Sequence, residues 1–566
     1  MANNDLKTLS EIFNNRIFRI PDYQRGYAWD EEQLDDFWED LCYLKDGNFH
    51  YTGLLTIQKI KREDIEKNGD KHAHWEGDFW MFDMGYNAYY VIDGQQRLTT
   101  ISILLKVIFD EYNEEKLNYE DKQDYIKKYL YKKSGENKSF IFGYEQNNPS
   151  DNYFKTKILD QDVLLAKEIQ ETLYTCNLQK AKNYFSEKLK SLPKEEIVDI
   201  FKKITIQLKF NVYEIDDEFD VFVTFETMNN RGKQLSKLEL LKNRLIYLTT
   251  ILPGENNDNN KLRKEINSVW KTVYEYLGKN KDDPLDENEF LRNHWIMYFG
   301  FTKEAEAYSK FLFNTHFTIN NVINENIDYD KNNGKIGYHD IEKYITSIHD
   351  SIKMRFYISN PSLSEFSYET KEYIKKLNRV GFGPLKPLIM CAMIKCSNKE
   401  FSEEKLIELL KASEQFSFLV FTLTGRPSNT HRNKIYRIAN YLHDGVYKSD
   451  KLCSIQGVTN YLISQKDSWN GFDLDKFRTK IESFFKNEKG FYGWYGRYYF
   501  LYEYELYLQK CKSESKIIVS WEETQNQKTK NQDSIEHIYP QKADKECWGK
   551  KYNQFDEAQR KYLLNS

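Results

Sequence analysis

The stretch YVIDGQQRLTTI, residues 90–101, constrains the fold of this chain more than any other feature. Residues 89–92 are strand formers, and the residues from Gln95 onward have the apolar spacing of an amphipathic helix. An Asp-Gly pair lies between the two patterns, where the chain is expected to turn. The sequence therefore predicts a strand, a tight turn and a helix in immediate succession, which favours a mixed α/β domain.

A helix start of this kind is suited to an anion. The first amide N–H groups of a helix have no partner within the helix, and they lie at the positive end of its dipole. Gly94 lets the backbone approach a ligand closely, Arg97 can grip phosphate oxygens bidentately, and Asp93 can hold a metal ion or orient a water. The alternative is a structural joint in which Asp93 caps the helix and Arg97 forms a surface ion pair.

The length and composition indicate a folded protein of several domains. A chain of 566 residues is too long for one ordinary core, so we expect two or three domains. Aromatic residues reach 16% although charged residues are 30%, and disordered chains are poor in aromatics. The net charge of −5 excludes a globally basic nucleic-acid binder but leaves a local basic groove open.

The cysteines and the apolar segments predict a cytoplasmic location. The seven Cys are scattered without a CxxC pair, which indicates reduced thiols and argues against a zinc site. The first residues lack the basic and apolar regions of a signal peptide. No window approaches the ~18 apolar residues that suggest a membrane span, so we expect no membrane partner.

The patterns along the chain predict an α+β multidomain protein in three parts. Residues 1–250 are expected to form a mixed α/β domain, residues 251–520 a mostly α-helical domain, and residues 521–566 a short C-terminal segment.

Several elements of the first domain are predicted individually. We expect a helix with Asp30 as its N-cap, a strand over residues 51–60 and a loop over residues 61–87. Strict alternation predicts a strand over residues 203–215, in which the alternate apolar side chains from Ile204 to Val212 lie on one face. The spacing of Ser236 and Glu239 is that of a capping box at the start of the next helix.

Two further blocks accompany the DGQQR stretch. The first is IPDYQRGYAW, residues 20–29, and the second is FETMNNRG, residues 225–232, followed by Leu241-Lys242-Asn243. In their order and rough spacing, the three blocks resemble the N-terminal domain of the GmrSD-type restriction proteins. The resemblance covers about residues 10–250 and implies a ParB/sulfiredoxin-like fold that binds and hydrolyses a nucleoside triphosphate.

The resemblance also implies roles for individual residues. The nucleotide-binding residues would be Gln24, Arg25, Tyr27, Gly94, Gln95, Gln96, Arg97, Asn229 and Arg231. Asp93 would be a catalytic residue, and Tyr23, Tyr27 or Trp29 would stack on the base. Core packing is the alternative for Tyr27 and Trp29. No Walker A pattern is present, so the expectation of a nucleotide rests on the resemblance.

A second site is predicted in SIEHIYP, residues 534–540, whose spacing resembles the opening strand of an HNH (ββα-metal) nuclease. GmrSD-type proteins carry such a domain after the NTPase. The resemblance implies that His537 is the general base for the attacking water, a role that suits an imidazole pKa near working pH. It implies that Glu536 binds a divalent ion, Mg²⁺ or Mn²⁺, which steadies the transition state.

The end of the sequence departs from the family pattern. In the family, a Gly-Asn-Leu strand and a helix follow this point and bring the remaining metal ligand, Asn or His. Only 29 residues follow His537, and no residue among them clearly takes that place, although Asn565 is a candidate. The nuclease motif is therefore expected to be truncated, split onto another polypeptide, or degenerate.

The sequence thus predicts an NTP-dependent endonuclease or nickase of an antiphage, type IV-like restriction system, which senses modified or phage DNA. GTP or ATP would be the substrate or effector, and a homo-oligomer or a protein partner stays open. The alternative is a non-cleaving, NTP-hydrolysing switch that binds DNA or a protein, with the nuclease supplied in trans or lost. A helical scaffold with decayed motifs is a third interpretation.

Overall fold

A computed structural model of the chain describes two compact units. The described residues are 6–62, 73–145, 148–161, 171–215, 236–253, 256–281, 283–300, 308–322, 336–423, 425–427, 429–445, 454–467, 479, 482–483, 494–511, 520–521 and 556. Residues 1–292 and 307–356 belong to the first unit, and residues 293–306 and 357–566 belong to the second. The predicted domain boundaries at residues 250 and 520 stay predictions.

A mixed sheet forms the centre of the first unit. Its strands are β1 (Leu6–Thr8), β2 (Arg16–Ile20), β3 (His50–Ile60), β4 (Asn87–Asp93), β9 (Phe142–Tyr144) and β10 (Leu208–Ile215), and short ladders are formed by β5 (Lys116–Leu117), β6 (Glu120–Asp121), β7 (Tyr131–Ser134) and β8 (Asn137–Phe140). Within the described residues the sheet order is β1-β10-β3-β4-β2-β9. The β4, β2 and β9 strands run parallel, and β3 is antiparallel to β4.

This topology brings the IPDYQRGYAW block and the DGQQR stretch together. Adjacent parallel strands end at the same edge of a sheet. The IPDYQRGYAW block begins at the last residue of β2, and the DGQQR stretch begins at the last residue of β4. The two blocks therefore leave the sheet side by side. Neither their separation in the sequence nor their composition indicates this proximity.

The part of the chain up to residue 359 also contains helices. They are α1 (Leu9–Ile12), α2 (Glu31–Tyr43), α3 (Phe79–Asp83), α4 (Gln95–Glu111), α5 (Lys122–Tyr129), α6 (Pro149–Tyr153), α7 (Leu173–Lys190), α8 (Lys194–Lys202), α9 (Lys237–Ile251), α10 (Asn256–Lys279), α11 (Glu287–Phe299), α12 (Tyr308–Lys310) and α13 (Tyr338–Ser359). The division between the two units falls within α11 and α13. Every residue of α4 from Leu98 to Phe109 is buried, so this helix lies inside the core and its first turn is held firmly in place.

Most of the predicted elements are confirmed. Asp30 is the N-cap of α2, in a capping box with Gln33. The predicted strand over residues 51–60 is β3, and the predicted helix at Gln95 is α4. Ser236 and Glu239 form the expected capping box at the start of α9. The described chain is mixed α/β and mostly helical, which agrees with the predicted α+β class.

Two predictions of local structure are wrong. The region expected to be a loop contains a 3₁₀ turn, Ala73–Asp78, and α3, because Trp75 and Met81 are fully buried in the core. The predicted strand from Ile204 begins only at Leu208. The preceding residues continue α8 as a π-helical turn, which leaves Ile206 48% exposed.

The described part of the second unit is helical. Its helices are α14 (Tyr368–Val380), α15 (Lys386–Ser397), α16 (Glu403–Phe416), α17 (Arg432–Asp444), α18 (Ile455–Asp467) and α19 (Arg497–Cys511). Their buried apolar residues, such as Leu388, Leu409 and Ile438, form the core of this unit. Within the described residues of the chain, no helix is long and apolar enough to cross a bilayer.

Candidate functional site

The turn between β4 and α4 depends on a glycine. Gly94 is the N-cap of α4 in the left-handed conformation, with φ of 90°, and no side chain caps the helix. A Cβ atom at this position would lie 2.9 Å from Leu55 Cδ1, so only glycine fits without strain or displacement. The amide groups of the first helical turn are consequently left without a side-chain acceptor, as an anion site requires.

Gln96 joins the DGQQR stretch to the first block. Its Oε1 accepts a hydrogen bond from the Ala28 amide at 2.8 Å, and its Nε2 donates to the Gly26 carbonyl at 3.1 Å. In return, Gln24 of the first block donates from Nε2 to the carbonyls of Val91 and Ile92, at 3.1 and 2.9 Å. The two blocks are therefore fastened to each other by two side-chain amides.

Gly26, the glycine of the first block, allows an aromatic ring to pack closely against the backbone. The ring of Tyr174, at the start of α7, lies against the backbone of Gly26. A Cβ atom at Gly26 would lie 2.5 Å from Tyr174 Cβ and Cγ. A Cβ atom at Gly278 would lie 2.7 Å from Tyr174 Cε2. Two glycines thus make room for one aromatic ring.

Arg97 is engaged with the backbone of β3. Its guanidinium donates from Nη1 to the Thr52 carbonyl at 2.7 Å and from Nη2 to the Leu54 carbonyl at 2.8 Å. The register of β3 with β10 shifts here, so that Thr52 forms a bulge, and Gly53 has φ of +119°. Arg97 therefore holds a bulge in place, and three of its five N–H donors remain for another acceptor.

A Gly53→Ala substitution is expected to release this contact. A Cβ atom at Gly53 would lie 2.0 Å from Arg97 Nη1, so the guanidinium must move away from both carbonyls. We expect a loss of about 3 kcal/mol, of which about 1 kcal/mol is backbone strain and the rest is lost hydrogen bonds. Thermal unfolding of the full chain measures the difference.

Gly47→Ala is the matched control for this prediction. Gly47 also has a positive φ, of +79°, but no atom lies within 4 Å of its Cβ position. It should therefore show the strain of about 1 kcal/mol alone. Equal losses for the two variants would contradict the account of Arg97 and the bulge.

Asp93 is partly buried beside Arg97. Burial raises the pKa of its carboxyl group, and this effect is opposed by the Arg97 guanidinium and by the Gly94 amide, which donates to it. The distance from Asp93 Oδ2 to Arg97 Nη2 is 4.0 Å. The ion pair that the sequence offered as an alternative is thus present, although it is long and partly buried.

Arg25 lies in a buried cluster of charges. Its Nε is 2.9 Å from Glu239 Oε1, and both side chains are largely buried. Burial is the largest single effect and lowers the pKa of Arg25, but the neighbouring acidic groups together, with the Glu239 carboxylate first, raise it. Burial also raises the pKa of the nearby Glu287 carboxyl, against the effect of Arg25. Arg25 therefore fastens the first block to the start of α9.

Tyr27 is part of the core. The residue is fully buried, its hydroxyl is 2.7 Å from Thr100 Oγ1, and its carbonyl accepts a hydrogen bond from Asn177 Nδ2. Trp29 is partly buried and packs against Phe37. Of the two interpretations of Tyr27, stacking on a base disagrees with this burial, because no face of its ring is accessible.

A cleft opens beside the first block. Gln24, Tyr174 and Tyr274 are among the residues that line it. Lys271 and Asp22 also line the cleft, and the Lys271 ammonium donates a hydrogen bond to Asp22 Oδ2 at 2.5 Å. The Oε1 atom of Gln24 is buried and has no hydrogen-bond partner, a condition that a bound ligand would relieve.

Gln95 also has an unused hydrogen-bond acceptor. Its Oε1 atom is also buried without a hydrogen-bond partner, at the first position of α4. Unpaired buried polar atoms are rare in native structures and cost free energy. Two of them, in Gln24 and Gln95, occur at the edge where β2 and β4 end. The site therefore has unused hydrogen-bonding capacity at its centre.

The sequence reasoning did not identify three residues that build this edge. Glu145, after β9, accepts from the Asp22 amide at 2.6 Å and from the Tyr90 hydroxyl at 2.9 Å. Glu239 was expected only as a capping residue, and Lys242 only as part of a motif. Parallel pairing of β9 with β2 brings Glu145 to the site, and no sequence pattern indicates that pairing.

Four predicted residues lie outside the described part of the chain: Asn229, Arg231, Glu536 and His537. Their roles remain predictions. Within the described residues, no group of three or more His, Cys, Asp or Glu side chains is arranged to hold a metal ion.

Comparison with known families agrees with the resemblance in the sequence. Residues 9–246 match the family model described as GmrSD restriction endonuclease, N-terminal domain. The matched segment contains every strand of the described sheet except β1, and it also contains the IPDYQRGYAW and FETMNNRG blocks, the DGQQR stretch and the start of α9. No curated protein matches the chain significantly.

Proposed function

We propose that the first unit binds and hydrolyses a nucleoside triphosphate, GTP or ATP, at the edge where β2 and β4 end. The main support for this proposal is that the IPDYQRGYAW block and the DGQQR stretch meet there, around a helix start that no side chain caps. The match over residues 9–246 supports the proposal, because the blocks within it are those whose family resemblance implies nucleotide hydrolysis. We retain the ParB/sulfiredoxin-like fold as part of this proposal.

The residues of this edge suit the proposed reaction. The amides of Gln95, Gln96 and Arg97 would bind phosphate oxygens, since the helix dipole favours negative charge at that position. Gly94 allows the phosphate to approach the backbone, and Arg97 retains donors for it. Asp93, whose pKa is raised by burial, would orient the attacking water and accept its proton.

We further propose that the nucleotide controls DNA cleavage by the segment of residues 521–566. The name of the matched family includes restriction endonuclease, which implies a defence nuclease with DNA as its partner. In this segment His537 would act as general base and Glu536 would bind Mg²⁺ or Mn²⁺. The ion would stabilise negative charge on the phosphate at the transition state. Modified or phage DNA would be the substrate.

Nucleotide binding and hydrolysis by the purified full chain test the first part of the proposal. We expect saturable binding of GTP or ATP and release of inorganic phosphate, with one of the two nucleotides preferred. Modified DNA, unmodified DNA and no DNA should be compared in the same assay. Failure of both nucleotides to bind under all three conditions would refute the proposal.

A further inference from the structure

Lys242 is a buried amine that forms no ion pair with any carboxylate in the part of the chain that the structure describes. It lies in α9 and is 6% exposed. Its Nζ donates to the Tyr23 carbonyl at 3.1 Å and lies 4.0 Å from the centre of the Tyr23 ring. A carbonyl and an aromatic face compensate a buried ammonium only in part.

The two described carboxylates whose charges act on Lys242, those of Glu239 and Asp22, form ion pairs with other residues. Glu239, on the same helix, pairs with Arg25 through Oε1 and accepts the Ser236 amide through Oε2. Asp22, in the first block, pairs with Lys271. Burial therefore lowers the pKa of Lys242 to about 7, against the weaker opposing effects of Glu239 and Asp22. Near neutral pH the amine is in balance between its charged and neutral forms.

Lys242 also lies next to the proposed nucleotide site. The carbonyl that it contacts belongs to Tyr23, and the next residue, Gln24, is bonded to the last carbonyls of β4 before Asp93. A polyphosphate at the start of α4 would therefore bring negative charge close to Lys242. Unlike Arg25 and Lys271, Lys242 has no ion pair with a carboxylate of the described residues. Charges that are buried together interact strongly, even without direct contact.

We propose that Lys242 takes up a proton when a polyphosphate binds at the edge of β2 and β4, and so contributes to binding only in its charged form. The inference rests on the proposed function, since it assumes that a nucleotide binds there. The proton passes from solvent to the Lys242 Nζ lone pair, and no covalent bond to the phosphate forms. Affinity should then fall as pH rises above neutral, because the amine must be protonated at increasing cost.

Isothermal titration of the full chain with Mg²⁺ and a γ-thio nucleoside triphosphate tests this inference. At pH 8.0 the terminal phosphate of this analogue is fully ionised, so proton uptake must come from the protein. The binding enthalpy, measured in buffers of different ionisation enthalpy, gives the number of protons taken up. We expect uptake on the order of half a proton, and an affinity that falls roughly threefold per pH unit around pH 8.

Three variants separate Lys242 from other groups. Lys242→Met should lose the uptake, and Lys242→Arg should lose it while binding at least as tightly, because arginine stays charged. Lys261→Met, at an exposed position on α10, should keep it. Circular dichroism checks that each variant is folded, and the wild-type measurement stands without the variants. Zero uptake by the wild type, or equal uptake by the wild type and Lys242→Arg, would overturn the inference. Absence of any nucleotide binding would refute the proposed function as well.

Discussion

Arg97→Ala is expected to lower nucleotide hydrolysis by at least about 100-fold. Loss of one preorganised donor to a developing negative charge typically has an effect of this size. The substitution also frees the Thr52 and Leu54 carbonyls, so the bulge that carries Gly53 loses its support. Steady-state phosphate release by the purified variant, at saturating GTP and ATP, measures the loss.

The variant should nevertheless remain folded. Two lost hydrogen bonds from a charged donor cost about 2 to 3 kcal/mol, whereas domains of this kind are stable by about 5 to 15 kcal/mol. Arg97→Lys keeps the charge but reaches only one carbonyl, and it should recover less than a tenth of the lost activity. A folded Arg97→Ala protein that hydrolyses nucleotide at the wild-type rate would contradict the assignment of the site.

His537→Ala is expected to lower DNA cleavage by about 1,000-fold and to leave nucleotide hydrolysis unchanged. General base catalysis contributes roughly 10²- to 10⁴-fold, and the proposed nuclease places that function on this residue alone. Nicking of supercoiled plasmid, followed with Mg²⁺ and nucleotide present, measures the first effect. Phosphate release in the same reactions measures the second.

His339→Ala provides the matched control for this prediction. His339 lies on α13, its side chain is 83% exposed, and among the described residues it pairs with Glu342 on its own helix and packs against the neighbouring Tyr338 ring. Its removal should change neither activity. Cleavage that persists in His537→Ala at the wild-type rate would show that the nuclease centre lies elsewhere, or in a contaminating protein.

Local patterns predict much of this fold because they depend on neighbouring residues. Asp30 and Ser236 were found as helix caps, since a cap needs only a side chain at the right spacing. The prediction of a strand from Ile204 was wrong because it, too, used only a local pattern. An alternating pattern looks alike in a strand and in a helix continued by a π turn, and packing of α8 decided between them.

The candidate site was harder to predict, since its contacts join distant parts of the chain. The DGQQR stretch indicated an anion site from its own residues. It did not indicate that Arg97 binds the carbonyls of β3, which lie 45 and 43 residues earlier. Nor did the sequence indicate that Lys242 would lie under Tyr23, 219 residues away. Such contacts follow from strand order and burial, which no local pattern specifies.

Cleavage of DNA by the wild-type chain is the most direct test of the central claim, that nucleotide bound at the edge of β2 and β4 controls a nuclease. Plasmid and phage DNA, modified and unmodified, would be incubated with Mg²⁺, with and without GTP or ATP. We predict cutting or nicking of one DNA class that responds to nucleotide and is lost in His537→Ala. No cleavage under any condition, while nucleotide is still hydrolysed, would contradict the claim and favour the non-cleaving switch.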